Sequence, residues 1–201
     1  LAVGLAAFAL GKYYCTSSHN AITGETQHIS ISTEQEIAMG LQSAPQMAEE
    51  FGGLSRNAEA TALVKQVGQK VVRGSVAKDT PYQYNFHLLA DPQTINAFAL
   101  PGGQVFITEG LLKRLENEDQ LAGVLGHEVG HVVARHSAER LAQMELTQGL
   151  TGAYTMAMYD PSNPNSAAIA NVVANMMVMK YGRDQELESD DLGVRFMIES
   201  G

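Results

Sequence analysis

A mostly helical α+β domain with one small antiparallel sheet is the fold class this sequence predicts. Three observations carry it. Helical periods with recognisable N-caps recur on both sides of the chain's centre. Between residues 82 and 88 the period changes to strict alternation. A Pro-Gly-Gly turn then separates two short apolar runs rich in β-formers.

The 201 residues suit one domain with short appendages, long enough to bury a substantial core. A formal net charge of −9, with Lys and Arg scattered, argues against a nucleic-acid partner, because phosphate binding needs a basic face. Cys15 is the single cysteine, so no internal disulfide framework can form.

Leu1 to Leu10 are apolar or glycine throughout, and Lys12 follows. Such a run matches the apolar region of an export signal and is too short to span a bilayer. Ala7-Phe8-Ala9 would serve as a small-x-small cleavage site, whereas Tyr13 and Tyr14 before Cys15 are too bulky for a lipoprotein signal. Residues 1–15 are therefore expected to be an export-signal or anchor remnant that allows membrane association; a buried N-terminal helix is the alternative. Residues 16–31, rich in Ser, Thr, Asn and Gly and without period, read as an extended arm.

Ser32 with Gln35 forms a capping box that starts a helix, continued by Ile37 and Leu41. Pro45 is expected to kink it or end its first half, and Gly52-Gly53 to stop it. A second helix runs from Asn57 to Arg73 with Ala60, Val64, Val67 and Val71 on one face. Tyr82, Tyr84, Phe86 and Leu88 then alternate with Gln83, Asn85 and His87, which predicts a half-buried strand with His87 on its solvated side. Asn96 to Leu100 and Gln104 to Thr108, joined through Pro101-Gly102-Gly103, supply the other strands. Pro101 favours an edge position for the first of them.

Asn117 with Gln120 opens the next helix, whose apolar stripe is Leu121, Val124, Leu125, Val129 and Val132. It carries His127-Glu128-Val129-Gly130-His131. Histidines four apart share one helix face, so both rings can reach a single ion, and Glu128, offset by roughly 100° of rotation, stands beside that ion without ligating it. In this arrangement the carboxylate takes a proton from a water that zinc has made acidic. The alternative is a pair of ordinary helix histidines. Gly126 and Gly130 cost helix stability, so they suggest close approach of another backbone or of substrate, with simple tolerance as the equal alternative.

Leu141 to Tyr159 and Ala167 to Lys180 read as a helical hairpin about the turn Asp160 to Asn165. Met176, Met177 and Met179 in it are read first as core filling, with an adaptable peptide surface as the second reading, and the hairpin is expected to cover the site as a lid. A catalytic zinc site needs a third protein ligand. Ala134 and Ser137 exclude the metzincin extension, and His136, five residues after His131, points well away on a helix and is not a ligand by this geometry. The acidic segment Arg183 to Asp191 offers the remaining candidates. Glu186 and Asp190 lie one turn apart on the same side, opposite in role to the apolar Leu187, Val194 and Ile198, and Glu188 sits about 200° round from Glu186. One of the pair can bind zinc while the other accepts a ring N–H from a ligating histidine. A solvated acidic face accounts for Asp184 and Asp191.

His127 to His131 followed by Glu186-Leu187-Glu188-Ser189-Asp190 resembles the gluzincin metallopeptidases of the CAAX prenyl protease 1 and HtpX type, in particular their soluble exported bacterial branch. The resemblance extends to Asn96 to Gly103, Gly110-Leu111-Leu112 and Asn20 to Gly24, and covers most of the chain from about residue 20. It implies a zincin-like peptidase domain over residues 32–201, with one zinc ion per chain held by His127, His131 and Glu186. Glu128 would be the general base, and Asp190 would assist catalysis from behind the ligands. It also implies cleavage of unfolded or misassembled proteins in a bacterial periplasm. Ser189 and Gly182 stand where the family commonly has Ala and Ser. The family pattern continues past the position of Gly201 into a segment with His-Pro and an Arg that helps stabilise the oxyanion, so this domain is expected to be truncated at its C-terminal end. The alternative functions are an envelope assembly factor with chaperone-like binding and a plugged zinc site, or a fold with a purely structural metal.

Overall fold

The structure, a computed structural model, describes residues 2–157 and 181–201, without the side chains of 153–157. The turn Asp160 to Asn165 and the second arm Ala167 to Lys180 of the expected hairpin, with the lid assigned to them, lie outside the described residues. The rest separates into two compact units: residues 1–31 with 138–182, and residues 32–137 with 183–201.

In the first unit, α1 spans Ala2–Cys15 and has no buried residue, so the buried-helix alternative does not describe it. The arm is not uniformly extended. Strands β1 (Ser17–His19) and β2 (Thr26–His28) pair antiparallel, because the Asn20 side chain accepts from the N–H groups of Ile22 and Thr23 and closes the turn between them. His28 stacks on Tyr13 at 4.1 Å between centroids, and Lys12 pairs with Glu145 at 2.6 Å. Among the described residues no helix is long and apolar enough to cross a membrane.

The second unit begins with α2 (Thr33–Glu50). The expected capping box is present, with the Ser32 hydroxyl accepting from Gln35 N–H and the Gln35 side chain from Ser32 N–H. Pro45 neither ends nor divides this helix, which continues through it to Glu50. Helix α3 (Ala58–Gly74), capped by Asn57, buries Val64, Val67 and Val71 as the periodicity required. Gly68 on the same face lets the Phe86 ring lie where a side chain would stand, its nearest carbon 2.5 Å from the position of the missing Cβ.

The sheet corrects one expectation. Its order is β3 (Asn85–Leu89), β5 (Gln104–Thr108), β4 (Ala97–Leu100); β4 and β5 are antiparallel, but β3 and β5 are parallel, so the sheet is mixed. The Pro101 to Gly103 turn, with Gly102 and Gly103 at φ of 78° and 99°, forces β4 back along β5. The loop 90–96 is long enough to step across about 10 Å, two strand spacings, and thereby leaves room for β5 in the middle. Every residue of β5 is buried, as a central strand requires. His87 is not a solvated strand residue: its ring stacks on Phe106 at 4.7 Å and its Nε2 lies 3.0 Å from Gln104 Oε1.

A short helix α4 (Glu109–Leu112) leads to α5 (Glu118–Val133), capped by Asn117 as expected. Here Gln120 accepts from the N–H of Glu116, one residue further back than a capping box would have it. After α5 the chain turns at Arg135, the one described non-glycine residue with positive φ, at 58°. α6 (His136–Ala157) follows and, among the described residues, α7 (Arg183–Ser200) closes the chain. α7 lies against α5. Leu187, Val194 and Ile198 are 52, 58 and 77% exposed, whereas Ser189, Leu192, Gly193 and Phe196 are buried. Ser189 and Gly193 sit on this face where the two helix backbones touch: a Cβ on Gly126 would lie 3.3 Å from Gly193 O. That close approach is the reading of Gly126 and Gly130 that the structure favours over tolerance.

Candidate metal centre

His127 and His131 project from one face of α5, and Glu186 reaches them from the first turn of α7. Their ligand atoms all lie within 4.8 Å of one another. His127 Nε2 and His131 Nε2 are 3.0 Å apart, Glu186 Oε2 is 3.5 Å from the first and Glu186 Oε1 is 3.9 Å from the second. A tetrahedral ion with bonds of about 2.0–2.1 Å would separate its ligand atoms by about 3.3 Å, so this triangle is of the right size with little adjustment. Two imidazole nitrogens and one carboxylate are also a donor set that zinc takes, with a fourth position left for water or substrate.

The far ring nitrogens explain why the near ones can face an ion. Asp190 Oδ1 lies 2.7 Å from His127 Nδ1 and can only accept as a carboxylate, so Nδ1 carries the hydrogen and Nε2 keeps its lone pair. Asp190 lies one helical turn beyond Glu186 on the same side of α7, against His127.

His136 corrects the sequence reading. It is fully buried, and its Nδ1 lies 2.8 Å from His131 Nδ1, on the side of that ring away from Glu186. It is outside the triangle, as expected, yet it points towards the site rather than away. The reason is the turn at Arg135, which starts a new helix where a continuing one would have carried His136 round to another face. Neither Gly nor Asn marks that turn, so no local signal predicts it. Glu188, which accepts from His136 Nε2 at 3.0 Å, was likewise hidden within the acidic segment. Arg135 itself is held by Glu36 of α2, with Nε and Nη2 each 3.0 Å from Oε1. Glu36 is buried and also accepts a short hydrogen bond from the Tyr82 hydroxyl.

Glu128 is 8% exposed and lies between the histidines and the sheet. Burial pushes its carboxyl up to about 8, the charge of Glu186 adds to the rise, and the N–H of Ala99 donating to it opposes it. A carboxyl so placed can hold or release a proton near neutral pH. Ala99 lies on β4, which among the described residues pairs only with β5, so Glu128 ties the metal-binding helix to this edge of the sheet.

Known proteins share this pattern. Residues 58–201 match peptidase family M48. Mitochondrial metalloendopeptidase OMA1 of Schizosaccharomyces pombe is 31% identical over 194 residues, covering 94% of this chain and 55% of its own length. The β-barrel assembly-enhancing protease of Escherichia coli strain K12 is 27% identical over 208 residues, covering 98% of this chain and 42% of its own. That of Yersinia pestis is 29% identical over 185 residues, with 89% and 37% covered. The chain thus spans about half or less of the length of these relatives. With the family match running through both helices of the triangle, this chain belongs to the M48 metallopeptidases, a metal-dependent family.

Proposed function

We propose that this domain is a zinc-dependent endopeptidase in which His127, His131 and Glu186 hold one zinc ion, Glu128 moves protons and Asp190 orients His127. The observation that carries the reading is the convergence of three ligand atoms beside a buried, hydrogen-bonded carboxyl at the edge of a sheet. Zinc held there supplies a Lewis acid that polarises a scissile carbonyl and lowers the pKa of water. Glu128 takes the proton of the attacking water and passes it to the leaving amine. The β4 edge, Ala97 to Leu100, pairs with an extended peptide, and the Ala99 N–H holds Glu128 in line with it.

The names of the relatives support protein substrates, and those of the β-barrel assembly-enhancing proteases support a role in quality control of cell-envelope proteins. We therefore assign this chain to unfolded or misassembled envelope proteins in an exported, periplasmic setting. The test is metal analysis together with casein hydrolysis by the wild type and Glu128→Gln. The wild type is expected to carry one zinc and cleave. Glu128→Gln is expected to keep the zinc and lose about 10²- to 10⁴-fold in rate. Metal-replete Glu128→Gln with near-normal turnover would refute the mechanism. Zinc-replete wild type that binds unfolded protein without cleaving it would favour the assembly-factor reading.

A further inference from the structure

We infer that His136 and Glu188 are positioning residues for His131, a second histidine–carboxylate relay that holds this ring in the tautomer a metal requires. The inference rests on the metal reading above and extends it inward from the triangle.

The hydrogen positions follow from the one fixed acceptor. Glu188 Oε2, as a carboxylate oxygen, accepts from His136 Nε2 at 3.0 Å. A neutral His136 then has its lone pair on Nδ1, and it accepts there from His131 Nδ1–H at 2.8 Å. His131 is left with its lone pair on Nε2, which faces His127 Nε2 and Glu186. The reverse order would put a hydrogen on His131 Nε2, pointing into the triangle, and would set a bare His136 Nε2 against a carboxylate. The Ser189 hydroxyl, 3.4 Å from His136 Nδ1, adds a contact to the same nitrogen without changing this order.

Two further observations separate the relay from an ordinary buried histidine. Among the described residues Glu188 Oε1 is buried without a hydrogen-bond partner. Glu188 as a whole is half-buried, but a charged oxygen shut off from water is costly to leave unpaired, and a cation at the other end of the path offsets part of that cost. The path itself also depends on a strained link, since His136 reaches His131 only because Arg135 takes φ of 58° and is held there by Glu36. Asp190 serves His127 from the exposed side of α7, so the two ligating rings are oriented by two different carboxylates of one helix, one exposed and one half-buried.

The experiment measures the Kd for zinc by competition with a chromophoric chelator, and the visible spectrum of the cobalt-substituted protein. It uses the wild type, Glu188→Gln, His136→Gln and His136→Leu, with Glu186→Ala as the control that removes a ligand. The Tm of each metal-free protein is recorded alongside. Glu188→Gln is expected to weaken zinc by about 10- to 100-fold and to shift the cobalt spectrum, with a metal-free Tm equal to or above the wild type's. His136→Gln, which can still accept from His131 and donate to Glu188, should retain more affinity than His136→Leu. If His136→Leu fails to fold, Glu188→Gln alone decides. Wild-type zinc affinity and spectrum in Glu188→Gln would overturn the inference, as would losses that merely track the metal-free Tm. Wild type that binds no zinc removable by Glu186→Ala would overturn the metal reading beneath it as well.

Discussion

A Cβ on Gly130 would stand 3.0 Å from the carbonyl oxygen of Ser189. Gly193 returns the contact, since its own missing Cβ would lie 3.0 Å from the backbone nitrogen of His127. Helices α5 and α7 therefore meet backbone to backbone at the level of the site, and this closeness lets Glu186 on one reach His127 and His131 on the other.

Gly130→Ala tests that spacing. Alanine favours a helix by about 1 kcal/mol over glycine, but overpacking a fitted contact costs typically about 1–3 kcal/mol. The net change in metal-free stability is thus expected to be small and unfavourable, while zinc affinity falls because the triangle widens. Chelator competition and thermal unfolding together check it; unchanged zinc affinity would show that the contact is not what sets the site.

Glu186 and Glu188 are separated by their roles. Glu186→Ala is expected to leave no zinc on the protein after gel filtration at micromolar concentration. Glu188→Ala should still bind one equivalent when zinc is in excess, only more weakly. Equal retention in both variants would sink the assignment of Glu186.

Arg135 and Glu36 form a pair whose loss should be felt in folding. Arg135→Ala strands a carboxylate that is 2% exposed, and breaking a buried pair from one side costs roughly 3–5 kcal/mol. Adding Glu36→Gln to Arg135→Ala should recover much of that, because the group left behind is then uncharged. Denaturant unfolding of the two single variants and the double variant measures the coupling; strict additivity would contradict it.

Tyr82 predicts the alkaline limit of the domain. Burial first, then its hydrogen bond to the Glu36 carboxylate, then that group's charge, raise its phenol well above the ordinary 10.0, with Arg135 opposing. The folded domain therefore keeps a proton that the unfolded chain releases above pH 10. Stability is unaffected below that pH and falls as pH rises beyond it. Tyr84, raised chiefly by burial, adds to the same loss. Tyr82→Phe should be less stable than wild type at pH 7, where Glu36 loses a donor, yet should decline less steeply between pH 10 and 11. Parallel pH curves for the two proteins would refute the cause.

Local signals were legible in the sequence because their physics is confined to a few residues. The caps at Ser32, Asn57 and Asn117 satisfy N–H groups within one turn, and the four-residue spacing of His127 and His131 places them on one face wherever the helix goes. The stripe through Val64, Val67 and Val71 and the glycines of the 101–103 turn belong to the same class. Within the acidic segment, Glu186 and Asp190 were legible as partners because they share one helix face.

What lies between those segments was decided by contacts distant in sequence. β3 runs parallel to β5 because loop 90–96 carries the chain past a strand that has not yet been made, and alternation says nothing of a neighbour's direction. The buried face of α7 is Ser189, Leu192, Gly193 and Phe196, with Ser189 and Gly193 at the points where the backbone of α5 comes closest. Leu187, Val194 and Ile198 are left on the exposed side. His136 joins His131 through a left-handed turn at an arginine that a glutamate 99 positions earlier holds in place. The sequence by itself determined which side chains could form a metal site. Only the tertiary structure decided which carboxylates stand behind each histidine, because that depends on how near two helix backbones come and where the chain reverses, quantities set by packing rather than by spacing.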